Sequence, residues 1–144
     1  MAYCTKEDME KLMASESLIA FTDVEGIDSL NEDVLDRAIA DADAEINYWL
    51  GNRCVVPLPQ VPAIVRKIAT HITVYNLSVT GMGGATEDQK ARYESAITML
   101  RGVAVGDVSM NAIDPDGVLG GGGSVVGEMK SSTRLFTRDM MMGY

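Results

Sequence analysis

At 144 residues, with 47% hydrophobic and 23% charged side chains, the chain has the make-up of one folded domain with a moderate core. Its net charge of −9 is lopsided: residues 1–50 hold 13 acids against Lys6, Lys11 and Arg37, whereas residues 51–144 are near balance. A nucleic-acid binder concentrates Lys and Arg to neutralise phosphate, and this chain does the reverse.

No apolar run approaches the roughly 20 residues that cross a bilayer, so no membrane partner is expected. The start MAYCTKEDME lacks a signal peptide's basic and apolar regions, which points to a cytosolic product with reduced thiols at Cys4 and Cys54.

Thr5 followed by Asp8 resembles a capping box, so a short helix is expected from Lys6 to about Met13. Glu16 to Phe21 adds another turn or two, and TDVEGIDSLN reads as a polar loop. Asn31 then caps a long helix that runs to Leu50, with Glu32 and Asp33 complementing its dipole. Val34, Leu35, Ala38, Ile39, Ala42, Ile46, Trp49 and Leu50 form its apolar stripe, and Gly51 is its expected stop.

The linker VPLPQVP holds Leu58 and Val61 extended, and Pro62 suits the first position of a second long helix ending near Val79. That helix carries the stripe Val65, Ile68, Ala69, Ile72, Tyr75 and Val79. GMGGA breaks it. Thr86 and Gln89 form a second capping box, opening a third helix that buries Tyr93, Ala96, Ile97 and Leu100 and stops at Gly102 or Gly106.

The expected fold is therefore mostly α: a small helical bundle over residues 1–106, with an extended, glycine-rich C-terminal arm over 107–144. Its core is Leu35, Ile39, Ile46, Trp49, Val65, Ile68, Ile72, Tyr93, Ile97 and Leu100. The tetraglycine at Gly120 to Gly123 cannot pack, which makes the arm flexible or extended. The terminal SSTRLFTRDMMMGY regains apolar and basic side chains, with Met140 to Met142 as an adaptable surface. A sticky peptide on a flexible arm suits docking, with Arg134, Leu135, Phe136 and Arg138 as partner-binding residues.

Nothing in the chain reads as catalysis, so no enzyme is expected. His71 is the only histidine and sits mid-helix, where a satisfied structural role is the plain interpretation. Asp23 to Asp28 resembles a calcium loop only faintly, because its glycine falls at the wrong position. GMGG and GGGG follow no strand and lack the Gly-Lys-Ser/Thr of a phosphate loop. The carboxylates of the first long helix give no reason for split pKa values. No catalytic residue, cofactor or metal is expected. Asp36, Asp41, Asp43 and Glu45 lie off the apolar stripe; not all four can share one face, so about half of them are expected on an outer surface.

The segments IDSLNEDVLDRAIADADAEINYWLGNR, PLPQVPAIVRKIATHITVYNL, ATEDQKARYESAITMLRGVAVGDVSM and RLFTRDMMMGY together resemble the head–tail joining (neck) proteins of Mu-like bacteriophages and prophages. The most specific parts are Ala38, Ala40, Asp41, Ala42, Ala44, Glu45 and Ile46; then Pro57, Leu58, Pro59 and Pro62; then Phe136, Thr137, Arg138 and Asp139.

The resemblance implies a virion structural protein, a helical connector or adaptor subunit. Its copies would form a homo-oligomeric, dodecameric ring between the portal protein and the tail or a tail-completion protein. Double-stranded DNA would pass through without specific binding. The place implied is the virion neck, reached from the host cytoplasm during assembly, with Asp36, Asp41, Asp43 and Glu45 as channel-facing candidates. A cytosolic all-α regulatory protein-binding module is the alternative from another class.

Overall fold

Thr5, Asn31 and Thr86 each turn a side-chain oxygen onto a backbone N–H of the first helical turn, and three helices start at those points. Thr5 with Asp8 and Thr86 with Gln89 complete reciprocal capping boxes. The computed structural model describes residues 2–81 and 83–108. Within them the chain forms α1 (Lys6–Leu12), α2 (Ser15–Thr22), α3 (Glu32–Leu50), α4 (Ala63–Thr80) and α5 (Glu87–Val105), with no strand. The described residues form an all-helical bundle. The tetraglycine and the terminal peptide, including Arg134, Leu135, Phe136 and Arg138, lie outside the described residues.

α4 is the centre of the bundle, touched by α1, α2, α3 and α5. A helix covered on that many sides cannot keep a polar face, and α4 buries Val65, Ile68, Ala69, Thr70, Ile72, Thr73, Val74, Leu77 and Ser78. Its buried hydroxyls do not need outside partners. Thr70 donates to the Lys67 carbonyl at 2.8 Å, Thr73 to that of Ala69 at 2.8 Å, and Ser78 to that of Val74 at 2.7 Å. Val79, expected in the stripe, is exposed, and Leu77 takes its place in the core.

Other expectations shift by small distances. Pro62 is extended and occupies the N-cap position with no side-chain hydrogen bond, so it precedes α4 and does not begin it. Gly51 ends α3 in a right-handed conformation, so the helix loosens into a turn there. Gly106, and not Gly102, ends α5. Its φ of 96° lies in the left-handed region that favours glycine, and its N–H turns back to the carbonyls of Gly102 and Val103. Gly102 has another task. A Cβ there would meet Val108 Cγ2 at 2.8 Å, so the missing side chain lets Val108 pack back onto the bundle.

Of the ten expected core residues, Leu35, Ile39, Ile46, Val65, Ile68, Ile72 and Leu100 are buried. Trp49, Tyr93 and Ile97 are only half-buried, packed on the rim of the core. Tyr93 and Trp49 carry polar atoms that are best met at a rim. Tyr3, Cys4, Met9 and Leu18 complete the core from segments with too little periodicity to announce it.

Ile46 is fully buried and Ile68 is 3% exposed, on facing helices. Ile46→Ala or Ile68→Ala should each destabilise the fold by about 2–5 kcal/mol in urea denaturation. Wild-type midpoints for both variants would refute this core.

Candidate functional site

The surface singled out by sequence is the outer side of α3. Its four acids do not share one environment. Asp36 and Asp41 are exposed. Asp43 is half-buried, and its Oδ1 accepts the Tyr3 N–H at 2.9 Å. Burial holds its carboxyl above the usual carboxylate range, only partly offset by that hydrogen bond. Glu45 is also half-buried and accepts the Tyr93 hydroxyl at 2.8 Å. The four do not share one face, and the two that stay fully on the outside are Asp36 and Asp41. Asp43 and Glu45 flank the apolar stripe on either side and are drawn into the bundle's own hydrogen bonds.

Both of these bonds tie α3 to distant parts of the chain. Tyr3 is buried; its hydroxyl donates to Asn47 Oδ1 and accepts the Leu58 N–H at 3.1 Å. One side chain thus fastens the amino terminus, α3 and the proline-rich linker. Tyr93 stacks on Tyr75 with ring centroids 4.1 Å apart while holding Glu45, which joins α3, α4 and α5. Burial, then the Glu45 carboxylate, pushes the Tyr93 phenol up to about 12.

Near the C-terminus of α3, the Arg101 guanidinium lies 5.6 Å from the centre of the Trp49 ring. Arg53 donates to the Val105 carbonyl at 3.0 Å, placing a cation at the C-terminus of α5. The Arg53 guanidinium packs close over Gly106, but it is the end of a flexible side chain that can move, so the positive φ is the reason for glycine there.

His71 is half-buried on α4, and burial with nearby Arg92 and Lys67 lowers its pKa. The Asp23–Asp28 segment is a self-capped turn: Asp23 accepts the N–H groups of Ile27 at 3.0 Å and Asp28 at 2.8 Å. Those hydrogen bonds hold its carboxyl below the usual range. Among the described residues no His, Cys, Asp and Glu side chains gather into a possible metal site. Both thiols are free, Cys4 buried and Cys54 half-buried. No described helix is long and apolar enough to cross a membrane.

A groove of about 510 Å³ runs between α4 and α5, floored by Ile64, Ile68 and Met99 and edged by Lys67, Arg92 and His71.

Residues 3–124 match the family described as "Bacteriophage Mu, Gp36". The chain belongs to that family. It is also 31% identical over 114 residues to the Mu-like prophage FluMu protein gp36 of Haemophilus influenzae, a match covering 79% of each chain. The protein is therefore a Mu-like phage protein. The Gp36 match begins at Tyr3 and takes in all five helices, so both tyrosine ties lie within it. Arg134, Leu135, Phe136 and Arg138 lie beyond its last residue.

Tyr3→Phe would leave the buried Leu58 N–H without its acceptor and Asn47 without its donor. The expected cost is about 1–3 kcal/mol, read as a lower urea midpoint with an unchanged helical circular-dichroism spectrum. An unchanged midpoint would show that the tyrosine does not tie these segments. Tyr93 offers a pH readout. Its phenol is raised in the fold, so the stability it contributes is present below about pH 10 and lost as pH climbs toward 12. The alkaline fall in stability should be shallower in Tyr93→Phe; an identical slope would count against the Glu45 bond.

Proposed function

We propose that this Mu Gp36-family chain is a head-tail connector subunit of the virion. Copies form a ring between the portal and the tail or its completion protein, and DNA passes through the centre without specific binding. The observation that carries this proposal is the charge segregation on a helical bundle from a phage family. The amino-terminal half concentrates acids, and α3 keeps Asp36 and Asp41 exposed. An acidic wall repels phosphate, which suits passage of a duplex better than binding it. Membership of a phage family also favours a virion role over the alternative of a cytosolic regulatory module.

In this proposal the terminal peptide clasps a neighbouring copy. Leu135 and Phe136 supply apolar anchors, and Arg134 and Arg138 meet the acidic surface of residues 1–50. Deleting residues 131–144 should abolish ring formation, followed by light scattering, and leave the helical spectrum intact. Normal rings from the truncated chain would reject the clasp.

The channel role is tested on Asp36 and Asp41, because reversing Asp43 would also break its bond to Tyr3. Asp36→Lys combined with Asp41→Lys should give intact particles with slowed DNA ejection. Failed assembly would assign these acids to a subunit interface, and ordinary ejection would make them a solvated face.

A further inference from the structure

The groove between α4 and α5 has an apolar floor and a basic rim. Leu12, itself 43% exposed, stands at one end. The same surface continues along α1, where Lys11 and Arg66 join Lys67 at the edge. Two acids share this rim and are already paired: Asp8 with Arg66 at 3.9 Å and Asp88 with Arg92 at 2.9 Å. Lys11 and Lys67 have no ion pair among the described residues. An occupant that fits must bring apolar side chains for the floor and negative charge for the rim.

The chain itself carries such a feature elsewhere. In the loop between α2 and α3, Val24 is 72% exposed and Ile27 is 65% exposed. They stand among Asp23, Glu25 and Asp28. The loop is held in shape by the two backbone N–H groups that Asp23 accepts, so little ordering entropy is lost when it docks. Because the Asp23 carboxylate is turned onto its own backbone, the outward charges are Glu25 and Asp28. They match Lys11 and Lys67 in number and are opposite in sign. No residue of this loop lines the groove of its own chain. By contrast, the terminal peptide brings Arg134 and Arg138, which the basic rim would repel.

We infer that the α4–α5 groove receives the Val24–Asp28 loop of a second copy of this chain. Val24 and Ile27 sit on the apolar floor, and Glu25 and Asp28 face the lysines of the rim. The two surfaces are different patches of one chain, so the contact is head-to-tail, the kind that closes into a ring when the rotation per copy divides a full turn. The inference rests on the ring proposed above and deepens it by naming the interface.

The test uses the full chain in a Cys54→Ser background, alone and with portal protein. Ile27→Cys and Ser95→Cys copies should each stay uncrosslinked alone and form a disulfide-linked dimer when mixed, since Ser95 lines the groove. Glu25→Lys or Lys67→Glu should weaken self-association in sedimentation velocity by roughly tenfold or more. The double reversal should restore it, which a merely misfolded variant would not do. Rings that form with no mixed-copy crosslink and no response to either reversal would overturn the interface and leave the ring standing. Crosslinking of Ser95→Cys to Phe136→Cys instead would give the groove to the terminal peptide and also overturn it. A wild-type chain that stays monomeric with and without portal would refute the interface and the ring together.

Discussion

The bundle depends on the covering of α4. That helix is too apolar around its circumference to face water on more than a narrow strip, and its few buried hydroxyls are spent on its own carbonyls. It therefore demands neighbours on several sides. α3 and α5 supply long stripes, while α1 and α2 close the remaining gaps with Met9 and Leu18. Two short helices that could not persist alone are stable here because they cover apolar surface that would otherwise be wet.

Packing of apolar stripes sets proximity, but it does not set register well. Register in this fold is assigned to polar ties at the edges of the core. Tyr3 joins Asp43, Asn47 and Leu58, and Tyr93 joins Glu45 while stacking on Tyr75. Sliding α3 by one turn against both α5 and the linker would break both ties and leave half-buried polar groups unpaired, which costs more than the lost apolar contact alone. Arg53, reaching from the end of α3 to the last carbonyls of α5, fixes the far end similarly. The acids of α3 thus divide by position. Those flanking the stripe are structural, and those opposite it are left to solvent or a partner.

How much of this was legible in the sequence follows the range of each interaction. Helix starts at Thr5, Asn31 and Thr86 are decided within four residues, and the capping side chains announce them. The stripes of α3 and α4 are legible because burial repeats at the helical period, although Val79 fits the period and lies exposed near the end of α4 where cover runs out. The ties of Tyr3, Asp43 and Glu45 are not legible, for one reason. Their partners lie 40 or more residues away, and no local pattern encodes such a pairing. The groove is less legible still, since it is made by the absence of a neighbour between two helices.

A subunit that joins its own kind head to tail needs two unlike surfaces on a body that does not deform between them. Electrostatic segregation along a chain gives the unlike surfaces readily, because the α2–α3 loop and α3 are rich in acids, while Lys67 and Arg92 belong to α4 and α5. Rigidity between them comes from the tyrosine ties, which cross from α3 to the linker and to α5. A contact at one surface is then held at a fixed angle to a contact at the other. Interior packing resists small changes in that angle. If copies associate in this way, ring size is a property of the body's internal register, set by Tyr3 and Tyr93 as much as by any residue at the interface itself.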